Sequence, residues 1–320
     1  MTGILAITGP IYLVAALGFL ATRAGLFQRA DMRVLGKFVV NLALPALLFG
    51  AVAQRGVGEV LHPVFIAAYA LGSLGANTLG VLWARQVAGK PLSAAAIVGM
   101  GMSSPNSGFI GFPVVAQLLG PVNAGIGLAL AMLVENLLTL PASLALADAG
   151  EAGAGQGRAA RLRAALLLSL RSLARNPLVW AMALGLLFSL AGWRLPAVPA
   201  RGVEILAMSS AALSLFVIGG SLVGISAQGL ARDAAVIAAG KLLLHPALVL
   251  AAVLLLPPMA RELQLMAVVM AAVPMLGIYP VLAQKHGQDA LAAAAQLVAT
   301  LASFFTLPLL AWAAAQVLAR

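Results

Sequence analysis

The 320-residue chain is 62% apolar and 9% charged, where a soluble domain carries roughly 25% charged residues. That composition excludes a soluble enzyme and a disordered chain and leaves an integral membrane protein. The absence of cysteine excludes a disulfide framework and a thiolate metal centre, and the net charge of +10 is read loop by loop, because basic residues orient membrane helices.

Crossing a bilayer takes about twenty apolar residues in a helix, and ten such runs follow one another. Span 1 covers residues 4–22 and has no basic segment before it or small-residue cleavage site after it, so it is read as a retained helix. Span 2, residues 34–53, carries NLALP with Asn41 and Pro45, and span 3 covers residues 63–84. Span 4, residues 93–119, is broken at SSPNSGFIGFP, which holds Ser103, Pro105, Asn106, Ser107, Gly108 and Pro113. Span 5, residues 123–147, carries Glu135 and Asn136. Residues 148–176 are small, polar and basic and read as a linker between a first half, 1–147, and a second half, 177–320. Spans 6 and 7 cover residues 177–192 and 203–224; span 8, residues 233–256, carries Lys241 and His245. Span 9, residues 264–285, is broken at VPMLGIYP, with Pro274, Gly277, Tyr279 and Pro280, and span 10 covers residues 289–317.

The loops after the odd spans hold most of the basic residues, among them Arg23, Arg29, Arg33, Lys37, Arg85, Lys90, Arg158, Arg161, Arg163, Arg171 and Arg175. The positive-inside rule places these loops in the cytoplasm and both termini on the opposite side. The expected location is the inner membrane. The charge is thereby topological, and no nucleic-acid partner is expected.

Five spans per half make the second half enter the bilayer inverted, and related halves should share residues. PVVAQLLG at 113–120 answers PVLAQKHG at 280–287, and LVEN with LTLP (133–141) answers LVAT with FTLP (297–308). The fold expected is therefore all-α, ten transmembrane helices in two inverted five-helix repeats, with broken helices 4 and 9 crossing near the midplane. Each proline there removes a donor and clashes with the carbonyl four residues earlier. Broken ends near the midplane offer N–H groups to a carboxylate or carbonyls to a cation. Charges inside a span pair or line a pathway. Lys241 and His245, one helical turn apart, are expected to supply positive charge near the crossing, with Glu135 as counter-ion or proton carrier and Asn136 beside it. Asn41 is expected to face the same cavity.

The segment GFLATRAGLFQRADMRVLGKFVVNLALPALLFGA resembles the opening of the auxin efflux carrier family, and SPNSGFIGFPVV resembles its Asn-containing broken fourth span. NPLVWAMALGLLFSLAGWRLP and SLFVIGGSL resemble the start of its second half and its seventh span, and the short central loop looks like the bacterial branch. The resemblance implies organic-anion transport by a homodimer, with spans 1, 2, 6 and 7 as scaffold and spans 3–5 and 8–10 as a mobile, elevator-like transport unit. It implies that Asn106, with Pro105, Pro113, Pro274 and Pro280, forms the crossover that contacts a carboxylate. Span 9 departs from the family in having no Asn to mirror Asn106; Tyr279 is the residue available in its place.

The expectation is thus a secondary transporter of a small organic carboxylate, with H⁺ or Na⁺ as candidate coupling ion and no cofactor or metal. A cation/proton exchanger or Na⁺-coupled bile-acid-like symporter on the same architecture is the alternative; it would favour two acidic residues at the crossing, where only Glu135 is found. No HExxH or nucleotide-binding motif supports an enzyme or a primary pump.

Overall fold

The computed structural model describes residues 2–53, 62–151, 174–224 and 231–318, the side chains of residues 2–8 and 231 excepted. Among them the chain is helical throughout, with one isolated antiparallel bridge. In chain order the helices are α1 (Thr2–Arg23), α2 (Arg29–Ala53), α3 (Pro63–Gln86), α4 (Leu92–Ser103), α5 (Ser107–Leu119), α6 (Pro121–Glu151), α7 (Pro177–Ala191), α8 (Ala197–Ser221), α9 (Arg232–Leu255), α10 (Arg261–Ala272), α11 (Tyr279–Gln284) and α12 (Asp289–Val317). Six of them, α2, α3, α6, α8, α9 and α12, are long and apolar enough to cross a membrane; α4, α5, α7 and much of α1 are shorter apolar helices. Large apolar side chains such as Leu13, Leu17 and Leu20 on α1 and Leu184, Leu187 and Leu190 on α7 stand exposed, as a lipid-facing surface requires. The chain is a multi-pass membrane protein.

Residues 148–151 are the last turn of α6, and Gly150 lies against the backbone of Ser93. Residues 152–173, with Arg158, Arg161, Arg163 and Arg171, lie outside the described residues.

Prolines set the local geometry of the long helices. A proline cannot donate to the carbonyl four residues back and its ring collides with it, and a π turn relieves the collision by widening the helix. Four π turns are present among the described residues: Val39–Ala43, Ser107–Gly111, Glu135–Thr139 and Gly240–Leu244. Each ends two residues before a proline, namely Pro45, Pro113, Pro141 and Pro246. The wide turn shows in its hydrogen bonds, since the amides of Leu44, Leu140 and His245 donate to the carbonyls of Val39, Glu135 and Gly240, five residues back. Glu135, Asn136, Lys241, Asn41 and Ser107 all sit within these turns. Pro308 is different: α12 continues through it as an unbroken α-helix.

The matched motifs also share local form. Pro113 opens the α-helical part of α5 after its π turn and Pro280 stands in the first turn of α11, each behind a buried aromatic residue, Phe112 and Tyr279, and both motifs close on a positive-φ glycine, Gly120 at φ +83 and Gly287 at φ +63.

The chain divides into two compact units, each drawing on both sequence halves. The first comprises Met1–Pro63, Ser107–Leu130 and Ala174–Gly224. In it α1 lies against α8 at close range: a Cβ on Gly18 would fall 2.1 Å from the carbonyl oxygen of Phe216, and one on Gly219 would fall 1.8 Å from that of Ala15. Small residues permit this approach between membrane helices, where van der Waals contact and not water exclusion drives association. Pro177 opens α7 behind Asn176, whose side chain accepts from the amide of Leu178 at 3.0 Å, an N-cap with proline at N1. Two cavities of about 600 and 620 Å³ lie in this unit.

The second unit comprises Val64–Asn106, Ala131–Leu173 and Ile225–Arg320. Its core gathers Ile97, Met100 and Met102 of α4, Ile237 and Leu242 of α9, Tyr279 of α11 and the alanine-rich face of α12. Both proline-broken segments reach this unit, which holds most of the buried polar side chains among the described residues.

Candidate functional site

The break in span 4 begins where α4 ends. Ser104 is extended, at φ −106 and ψ 100, and the chain becomes helical again at Ser107. The break in span 9 begins at Val273, extended at φ −72 and ψ 155, and the helix resumes at Tyr279. Unpaired backbone is not tolerated inside a bilayer, and here the two breaks satisfy each other. The amide of Asn106 donates to the carbonyl of Pro274 at 2.8 Å, and that of Leu276 donates to the carbonyl of Ser104 at 2.9 Å. These two bonds flank the antiparallel pair Pro105–Met275. Pro105 thus occupies a position whose own N–H the ladder does not use. The sequence SPNS opposite VPML pairs because each proline is offset from the donors.

Around this bridge the candidate residues are packed tightly. Asn106 is 2% exposed, and its Nδ2 lies 3.6 Å from where a Cβ on Gly277 would stand. The carbonyl of Gly277 accepts from Nε2 of Gln296 at 3.2 Å. Ser103 accepts from Nδ2 of Asn77 at 3.2 Å. Ser104, not singled out in the sequence, has a buried hydroxyl oxygen without a hydrogen-bond partner, a group that elsewhere costs stability. Tyr279 is engaged in holding α11 to α4: its hydroxyl donates to the carbonyl of Ile97 at 3.0 Å, and its ring lies where a side chain on Gly101 would be. Pro274 is buried and Pro280 half-buried.

The charged residues form a second cluster in the same unit, organised by α3. Tyr69, Ser73 and Asn77 recur every four residues and so share one face of that helix. Tyr69 donates to Oε1 of Glu135 at 3.1 Å, and its ring stands 6.0 Å from that of His245. Ser73 Oγ lies 2.9 Å from Nε2 of His245, and Asn77 donates to Ser143 Oγ at 2.6 Å. Lys241 is fully buried and its Nζ donates to the carbonyl of Ala271 at 2.6 Å. That carbonyl lies in the last turn of α10, where helix carbonyls lack amide partners. Lys241 is therefore the cap of the half-helix that leads into the span 9 break. Its Nζ also lies 3.1 Å from Nδ1 of His245. Where Nζ donates to Nδ1, the histidine proton sits on Nε2, facing Ser73.

Not every expected residue joins these clusters. Asn41 belongs to the first unit, where it is exposed and donates back to the carbonyl of Lys37 at 2.8 Å. Its amide is satisfied on its own helix, within the π turn Val39–Ala43. Asn136 likewise bonds its own helix, at the carbonyl of Met132. Ser107 is buried and Gly108 and Pro113 lie in or behind the π turn of α5, in the first unit. The sequence reading missed Ser104, Tyr69, Ser73 and Asn77. The four-residue spacing of polar residues along span 3 is the signal that identifies the last three.

Comparison with known proteins identifies the family. Residues 8–311 match the model of a family described as membrane transport protein. Over 212 residues the chain is 25% identical to the uncharacterized transporter YfdV of Escherichia coli, an alignment that covers 66% of each chain. Over 191 residues it is 28% identical to an uncharacterized transporter of Methanothermobacter thermautotrophicus, covering 58% of this chain and 57% of that protein. The chain thus spans somewhat under two thirds of the length of the relatives it matches. It belongs to the membrane transport protein family, the auxin efflux carriers, and is a transport protein, not an enzyme.

Proposed function

We propose that the chain is a secondary transporter of small organic anions, mono- or dicarboxylates, built as two inverted five-span repeats whose broken spans 4 and 9 cross at the binding site. The observation that carries the reading is the hydrogen-bonded pairing of the two breaks, with Asn106 and the hydroxyl of Ser104 buried beside it. The shared form of the 113–120 and 280–287 motifs supports the repeat. A carboxylate needs donors, and here Asn106 Nδ2 and the Ser104 hydroxyl supply them. Lys241 supports the site indirectly, by holding the end of α10. Spans 3–5 and 8–10 are the moving element of an elevator-like alternating-access cycle and spans 1, 2, 6 and 7 its scaffold, in a homodimer in the inner membrane with both termini outside.

The cation-exchange reading has less support. Glu135 is the one buried carboxylate among the described residues, and it is bonded to Tyr69. Counterflow in proteoliposomes with a panel of labelled carboxylates, with and without Na⁺ and pH gradients, tests the proposal. Saturable exchange of at least one acid is expected. Na⁺ or H⁺ flux without movement of any acid would reassign the fold to cation exchange.

A further inference from the structure

Away from the breaks, the last turn of α6 and the turn after α11 build a third cluster, in the second unit. Asp148 and Glu151 stand three residues apart on one face of α6, and His286 comes from the turn 285–287. One ligating atom from each of the three lies within 4.8 Å of the others. The His286 side chain is completely buried, and its two ring nitrogens differ in partnership. Nδ1 is bonded to Oε1 of Glu151, whereas Nε2 is buried with no hydrogen-bond partner and lies 3.7 Å from Oδ1 of Asp148.

The chemistry of these atoms is restrictive. A carboxylate accepts only, so Nδ1 carries a proton, and in that tautomer Nε2 offers its lone pair towards a carboxylate oxygen. Two acceptors then face each other across a gap. A proton on Nε2 does not bridge it, because 3.7 Å exceeds hydrogen-bond length. Two metal bonds of about 2.1 Å span roughly 3.0–3.6 Å between ligand atoms, which a small shift of the Asp148 side chain provides. Glu151 takes the place of the carboxylate that orients a metal-bound histidine from behind. We propose that His286 and Asp148, oriented by Glu151, bind a divalent transition-metal cation of the zinc class, which clamps the end of α6 to the turn between α11 and α12. Imidazole with carboxylate suits Zn²⁺ and its first-row neighbours. Lys285, whose Nζ lies 2.6 Å from Oδ1 of Asp148, competes with the metal, and its exposed chain is free to swing aside.

The test uses the full chain, purified in detergent without a polyhistidine tag, titrated with Zn²⁺ and with Co²⁺ as a spectroscopic probe. One metal ion per chain is expected. His286→Gln lowers affinity about 100-fold or more, and Glu151→Gln lowers it on the order of tenfold. Lys285→Met tightens binding, which a plain surface ion-pair cluster does not explain. Absence of saturable uptake up to about 1 mM, about 4 kcal/mol of binding, overturns the proposal, as does His286→Gln binding with wild-type affinity. Should His286→Gln not fold, Asp148→Asn carries the same test, with the same loss expected.

Discussion

Lys241→Met tests whether the buried lysine is a helix cap or a mere cost to the fold. The substitution keeps the stem and removes the ammonium, so the carbonyl of Ala271 and Nδ1 of His245 lose their donor. An unsatisfied buried acceptor costs about 1–3 kcal/mol. Against that, the protein no longer desolvates a charge, a saving that often cancels the value of a buried pair. Hydrogen bonds between membrane helices are worth about 0.6 kcal/mol on average and up to about 1.7. With two acceptors stranded, the net loss expected is about 2 kcal/mol. Adding His245→Phe removes one stranded acceptor, so the double variant should recover about 1 kcal/mol relative to additivity. Equilibrium unfolding in mixed micelles, followed by circular dichroism, measures all three proteins. A Lys241→Met protein as stable as wild type, with an additive double variant, would refute the capping role.

Three other substitutions probe separate parts of the account. Gly219→Val drives a side chain into the Ala15 carbonyl, and should cost about 3 kcal/mol or more, read as loss of monodisperse protein or a large fall in unfolding midpoint. Asn77→Ala removes both bonds to Ser103 and Ser143, and about 1–2 kcal/mol of stability should go with them in the same unfolding assay. Ser104→Ala deletes a hydroxyl that has no partner; stability should stay within about 0.5 kcal/mol, while the half-saturation concentration for the transported acid rises severalfold in counterflow.

Much of this architecture was legible in the sequence, for identifiable reasons. The apolar runs mark the helices closely because bilayer thickness dictates their length, and SSPNSGFIGFP and VPMLGIYP mark breaks because proline and glycine there cannot sustain a helix. Pro45, Pro141 and Pro246 announced disturbance but not its form, since a π turn and a kink begin from the same collision. The form decides which way a side chain points, so the bond from Asn41 back to the carbonyl of Lys37 could not be read from its neighbours. Lys241 was recognised as costly but its partner was not, because the Ala271 carbonyl is an acceptor only by virtue of where α10 stops. Tyr69, Ser73 and Asn77 look ordinary one by one. Their meaning lies in what α3 packs against, and that is tertiary. His286 and Asp148 are 138 positions apart and share no motif spacing, so only the fold brings them together.

The central claim, that the paired breaks hold a carboxylate at Asn106, is tested most directly by Asn106→Asp in counterflow, beside Asn106→Ala. Asp fits the same space, removes the Nδ2 donor and sets a negative charge against the anion. Exchange of the transported acid should vanish in the Asp variant and fall strongly in the Ala variant, with the folded protein intact by gel filtration. Wild-type exchange by the Asp variant would contradict the account and move the anion site away from the breaks.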